Sequence, residues 1–213
     1  MTTIIFIRHG QSEANLGRVF AGHFDAPLSS LGHEQAKKTA GAVASKFHID
    51  KIYASDLSRA YDTGKYLAEL LNIEIIPDKN FREIFAGKWE GQRVEYIIEK
   101  YAEDFGVWKS DIGNSRPTDG ESMRELGERI FARVKEVVAE NEGKSVVVAT
   151  HAAAIRSLMA MCTGEDFLVK MKEIPFVSNA SYSVLVAEGE RFEFTEVSCD
   201  DHLDGIKTAL PRL

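Results

Sequence analysis

Cysteine is scarce in this sequence: Cys162 and Cys199 are the two in 213 residues, far apart and without metal-ligand spacing. That excludes a disulfide framework or a cysteine-based metal cluster, and it predicts two reduced, buried or half-buried thiols in a cytoplasmic protein. Long apolar runs are missing too. No stretch approaches the roughly 20 residues that cross a bilayer. The apolar opening at 3–7 is too short for a secretion signal and lacks its basic leader, so no membrane partner is expected. Positive charge is in deficit, with 26 Lys and Arg against 33 Asp and Glu and a formal net charge of −7. This balance argues against nucleic acid as the main partner. An anionic small molecule, needing only local positive charge, stays open. Neither a G-x-x-x-x-G-K-S/T phosphate loop nor a G-x-G-x-x-G turn occurs, which argues against a nucleotide kinase or a dehydrogenase.

What is present is the make-up of an ordinary folded chain. The hydrophobic fraction is 44%, and the length fits a single domain over 1–213. Apolar runs at 3–7, 51–54, 73–76 and 145–150 read as buried strands. Those at 181–187 and 192–197 alternate with polar residues and read as less completely buried strands. Between them lies helical periodicity: Ala36, Ala40, Val43 and Phe47 share one face, as do Leu126, Ile130, Val134 and Val137. Further helices are predicted at 56–71, 91–103 and 151–162. Alternating strand and helix predict an α/β fold, a three-layer α/β/α sandwich with a mostly parallel central sheet. Residues 104–120, with Gly106, Gly113, Pro117 and Gly120, read as an irregular surface excursion, the later part of a small cap-like excursion at about 85–120.

Ligands of open α/β sheets bind beyond the carboxyl ends of the strands, so the residues found there matter most. Strand 3–7 runs directly into Arg8 and His9. Strand 51–54 is followed by Ser55 and, in the first helical turn, Arg59. Glu83 follows the strand at 73–76, and His151 follows 145–150. Singly, each has an ordinary structural role as an ion pair, a helix cap or a surface charge. Four strand ends supplying two histidines, two arginines and a carboxylic acid to one sheet edge point instead to a site.

The residue types narrow its chemistry. Two guanidiniums match the oxygens of a phosphate, and main-chain N–H groups at the helix starts after His9 and His151 can add to an anion site. A neutral imidazole is a competent nucleophile toward phosphorus. A second one can donate to the charge that develops on the phosphoryl oxygens, and Glu83 can protonate the leaving oxygen. His9, His151 and Glu83 are also the types of a two-histidine, one-carboxylate metal site. Arg8 and Arg59 would repel the cation, however, and no H-x-x-x-H or D-x-D pattern is present. No metal and no cofactor are expected.

Six segments form one pattern: Arg8-His9-Gly10 with Asn15, DAPLSSLGHEQA at 25–36, YASDLSRAYDTGKYLAE at 53–69, FREIFAGKWEG at 81–91, DGES at 119–122 and THAAAIR at 150–156. They resemble the motifs of the histidine phosphatase superfamily, which includes the cofactor-dependent phosphoglycerate mutases. The likeness runs over essentially the whole chain and implies a phosphoglycerate mutase-like fold. It implies His9 as the phosphorylated nucleophile, Glu83 as proton donor, and Arg8, Arg59 and His151 as the phosphate clamp with Asn15 assisting. Gly22 and Ala152 fall at substrate-binding positions. Ala152 stands where the family usually has glycine, and Ala21 precedes Gly22 where mutases carry a hydroxyl residue. His23 reads as an exposed loop residue, His33 and His48 as surface helix residues, and His202 as a structural position. Trp89 and Trp108 are expected to pack the cap rather than to read a substrate.

The mutases grip their substrate's carboxylate with adjacent arginines and a lysine on a long lid. Here Arg93, Lys100, Lys109 and Arg116 are separate and the excursion is short. The expectation is a phosphomonoester phosphatase acting on a small phosphorylated metabolite. The alternatives are a 2,3-bisphosphoglycerate-dependent phosphoglycerate mutase and a non-catalytic phosphate-ligand-binding protein. Nothing in the sequence sets an oligomeric state.

Overall fold

The computed structural model describes residues 1–208. In chain order its strands and α-helices are β1 (Thr2–Arg8), α1 (Glu13–Leu16), β2 (Val19–Phe20), α2 (Ser30–Lys46), β3 (Lys51–Ala54), α3 (Ser58–Leu71), β4 (Ile75–Pro77) and β5 (Gln92–Arg93). They continue with α4 (Val94–Lys100), α5 (Ala102–Ser110), α6 (Met123–Glu140), β6 (Ser145–Thr150), α7 (Ala152–Cys162), α8 (Phe167–Glu173), β7 (Tyr182–Glu188) and β8 (Arg191–Cys199). Six strands form the central sheet in the order β4-β3-β6-β1-β7-β8. The first three neighbouring pairs are parallel, and the two pairs involving β7 are antiparallel. No described helix is long and apolar enough to cross a membrane.

The two-residue period of β1 builds the two faces. Ile4 and Phe6 pack with Val146, Val148 and Leu185 against α6 and α7, through Leu126, Ile130, Val134 and Leu158. Ile5 and Ile7 point the other way, joining Ile52, Val147, Ala40, Val43 and Leu67 beneath α2 and α3. Helices on both faces explain why β1 reads as an unbroken apolar run. The same placement corrects one expectation. β7 is almost wholly buried, because it lies between β1 and β8 and contributes Leu185 to one core and Val184 to the other.

Element boundaries moved where local caps decide them. β4 begins at Ile75, not 73, because Asn72 takes a left-handed C-cap (φ 53°) and the Ile73 N–H still bonds back to the Ala68 carbonyl. The predicted helix at 91–103 is two helices broken at Tyr101. The second of them, α5, occupies 102–110 and so runs on into the stretch read as irregular from 104. Here Phe105 and Trp108 supply apolar contacts: Trp108 stacks edge-on to Phe20 and Trp89, which are also in edge-on contact with each other. Tertiary packing outweighs a mid-helix glycine at Gly106.

Parallel pairing aligns the functional strand ends. Arg8 is in register with Thr150, and Ala54 with Ala149, so β1, β6 and β3 end together. His9 is then fixed from two sides: its N–H donates to the Thr150 carbonyl, and its own carbonyl accepts from Ala180 N–H and Asn179 Nδ2. The residue after it must be small. A Cβ on Gly10 would lie 2.4 Å from the Gly32 carbonyl oxygen at the start of α2.

Candidate active site

Arg8, His9, Asn15, Gly22, Arg59, Glu83 and Ala152 all line one cavity of about 620 Å³. His151 is not on its wall. It is fully buried, with its ring 5.2 Å from that of His9, centroid to centroid.

The local bonding assigns a tautomer to His9. Its Nδ1 lies 2.7 Å from the Gly10 carbonyl oxygen, which can only accept. Nδ1 therefore carries the proton, and Nε2 keeps its lone pair. His151 Nε2 is 2.9 Å from Ser55 Oγ, and its Nδ1 has no partner among the described residues.

The two arginines are anchored by main-chain carbonyls rather than by carboxylates. Arg8 Nη1 donates to Val177 O (2.6 Å), with its guanidinium 5.2 Å from the centre of the Phe176 ring. Arg59 donates to Gly22 O (2.7 Å) and Phe24 O (3.1 Å). Gly22 has φ 53°, and a Cβ there would meet that of Ala86 at 2.7 Å, so glycine is required to aim its carbonyl at Arg59. Among the described residues neither cation is neutralised by direct pairing. Burial lowers the Arg8 pKa to about 10, partly opposed by Glu83, which leaves it protonated at neutral pH.

Glu83 stands on the 78–86 loop. Its Oε1 accepts from Ile84 N–H (2.9 Å) and its Oε2 from Ala153 N–H in the first turn of α7 (3.2 Å). A second set of residues holds that loop. Arg129 pairs with Glu121 and donates to the carbonyls of Asn80, Arg82 and Glu83. Arg82 forms two 2.6 Å bonds to Asp56. His23 is not an exposed loop residue. It is half-buried, its Nε2 donating to the Glu83 carbonyl (2.9 Å) and its N–H to Glu90.

Other placements refine the sequence reading. His33 lies on α2 beside Tyr66, whereas His48 lies exposed beyond the helix end. His202 bonds to Thr39 and Ala180 O and stacks on Tyr182. Trp89 is wholly packed, but Trp108 both packs and lines the cavity. Sequence reasoning missed Arg156, Phe176 and Asn179 as wall residues. The motif ending at Arg156 was a visible signal. The 174–180 loop carried none, because its place depends on chain returning from α8. Among the described residues no cluster of three His, Cys, Asp or Glu side chains is placed to hold a metal ion.

Burial, followed by the charge of Arg59, holds both His9 and His151 well below the usual imidazole value. In the unfolded chain they titrate near 6.5. Between the depressed folded values and 6.5 the unfolded state binds more protons, so stability is full above 6.5 and is lost as pH falls. Each histidine contributes a slope approaching about 1.4 kcal/mol per pH unit. Urea unfolding between pH 6.5 and 5 should show this loss, with a shallower slope for His151→Gln. A wild-type midpoint unchanged over that range would contradict buried neutral imidazoles.

The sandwich and its strand-end pocket define a phosphoglycerate mutase-like α/β fold. Residues 4–200 match the model of the histidine phosphatase superfamily (branch 1), and the chain belongs to that family. It is 34% identical over 203 residues to phosphoserine phosphatase 1 of Hydrogenobacter thermophilus, covering 95% of each chain. It is also 32% identical to a 2,3-bisphosphoglycerate-dependent phosphoglycerate mutase of a Chelativorans species, covering 90% of this chain and 98% of that one. Among solved structures it is similar to a mycobacterial glucosyl-3-phosphoglycerate phosphatase in complex with vanadate. The TM-score is 0.86 at 27% identity, over 93% of this chain and 99% of the other.

Proposed function

We propose that this chain is a phosphomonoester phosphatase that acts on a small phosphorylated metabolite through a phosphohistidine on His9, without a metal or cofactor. The observation that carries the reading is the His9 tautomer. Its bond to the Gly10 carbonyl leaves an unprotonated Nε2 beside two carbonyl-anchored arginines. Nε2 attacks phosphorus while Arg8 and Arg59 bind the phosphoryl oxygens, with Asn15, Gly22 and Ala152 around them. The Ser55 hydroxyl donates to His151 Nε2, so that His151 Nδ1 carries a proton toward the developing charge. The ester P–O bond breaks, and Glu83 gives its proton to the leaving alkoxide. Water then attacks phosphorus, Glu83 takes its proton, and the P–N electron pair returns to Nε2. Inorganic phosphate leaves.

A mutase is the second reading, favoured by the relative at 32% identity. A mutase must retain a bisphosphorylated intermediate, which needs extra cationic grip. Of Arg93, Lys100, Lys109 and Arg116, Lys109 lines the cavity, while Arg116 is paired with Glu125 at 2.7 Å. Supplied with 3-phosphoglycerate and 2,3-bisphosphoglycerate, the protein is therefore expected to release phosphate much faster than it interconverts 2- and 3-phosphoglycerate. With a phosphatase substrate, turnover should survive exhaustive chelation, because the guanidiniums supply the charge that phosphoryl transfer otherwise takes from a metal. Rapid interconversion without phosphate release would establish the mutase instead. Activity lost on chelation and restored by one divalent cation would overturn the metal-free mechanism.

A further inference from the structure

The segment that follows β8 reaches the cavity and is not used by the mechanism above. Thr208 lies on the wall, and its hydroxyl donates to Asn179 Oδ1 at 3.1 Å. The segment is seated where it passes α2. Gln35 Nε2 donates to Ile206 O (2.8 Å), while Gln35 Oε1 accepts from the N–H of Gln11, two residues past His9 (2.9 Å). Asn179, buried on the same wall, stands between Thr208 and the end of β1.

The bonds around Asn179 fix the orientation of two carboxamides. The His9 carbonyl can only accept, and the Asn179 side-chain atom facing it at 3.2 Å is therefore Nδ2. Oδ1 is thereby turned to the Thr208 hydroxyl. Asn179 Nδ2 also meets Asn15 Oδ1 at 3.2 Å, and the Ser12 N–H, which can only donate, meets that same oxygen at 3.1 Å. Two donors thus converge on one end of the Asn15 carboxamide. Turned over, it would set its own N–H groups against both of them and lose two hydrogen bonds. Its other end, the Nδ2 donor, has no partner among the described residues, on a side chain that lines the cavity with Arg8 and His9. His9 itself depends less on Asn179, because its carbonyl also accepts from Ala180 N–H at 3.1 Å.

We propose that Asn179, oriented in turn by Thr208, is a positioning residue for phosphate binding: it holds the Asn15 carboxamide with Nδ2 toward a phosphoryl oxygen. The inference rests on the phosphatase reading above for the identity of the bound group. It adds a relay of side-chain hydrogen bonds from the segment after β8 to that group.

The cost of one substitution, measured with and without the Asn15 side chain, isolates this role. The readouts are the Kd for inorganic phosphate by calorimetry and kcat/KM for p-nitrophenyl phosphate. Asn15→Ala should weaken binding and lower kcat/KM by roughly 10- to 100-fold, the loss of a hydrogen bond to a charged oxygen. Asn179→Ala should cost roughly 3- to 10-fold in the wild type, and less than about twofold in the Asn15→Ala background. Thr208→Val keeps the shape and removes the hydroxyl. It should follow the same pattern with a smaller loss, and it decides the matter if Asn179→Ala does not fold. Equal factors in the two backgrounds would mean a role in packing or in holding His9. No loss from either substitution in the wild type would mean that Ser12 alone orients Asn15. Either result overturns the proposal. Wild-type protein that binds phosphate but does not cleave p-nitrophenyl phosphate would defeat the phosphatase reading and leave the relay to be decided by the Kd values. Protein that does neither would defeat both.

Discussion

Replacing His9 by alanine should reduce phosphate release by at least about 10³-fold, with the fold intact. The expectation follows from the division of labour in the cavity. Arg8 and Arg59 keep their carbonyl anchors at Val177, Gly22 and Phe24, so an ester still binds. What disappears is the proposed nucleophile, an imidazole oriented by a 2.7 Å bond to its own neighbour's carbonyl. Water has no such mount, and loss of a positioned nucleophile removes transition-state stabilisation rather than uniform binding. The change should therefore fall on kcat and kcat/KM together. Retention of more than about a tenth of wild-type kcat would mean that attack proceeds without His9.

Glu83→Gln should separate substrates by their leaving groups. Glutamine preserves shape, and its carbonyl can still accept from Ile84 or Ala153 N–H, but it cannot supply a proton. An alkyl phosphate leaves as a strongly basic alkoxide and needs that proton, whereas p-nitrophenolate needs it far less. The phosphorylation step should slow by roughly 10²–10⁴-fold with an alkyl ester, and much less with p-nitrophenyl phosphate. Single-turnover kinetics on both esters measures the difference. Equal losses would make Glu83 a binding residue.

The convergence of these residues was legible in the sequence for a specific reason. Arg8, His9, Arg59, Glu83 and His151 follow four strands, and parallel pairing in register brings such ends to one edge. What the sequence concealed depends on contacts made at long range. Asn179 and Phe176 reach the site through a loop after α8, with no local signature. Arg129, on the polar side of α6, looks like any solvated helix residue until the 80–83 carbonyls fold against it. His23 looked exposed because the Glu83 carbonyl it bonds lies 60 residues away. Trp108 read as packing alone, yet its ring serves both the aromatic cluster and the cavity wall.

The central claim is a covalent bond between phosphorus and His9. Acid destroys a phosphoramidate, so turnover must be stopped with alkali and the protein digested and mapped by mass spectrometry under alkaline conditions. One phosphoryl group on the peptide containing His9, formed and lost at rates compatible with kcat and absent in His9→Ala, is the predicted result. Competent turnover with the label on a serine, an aspartate or His151 instead would contradict it.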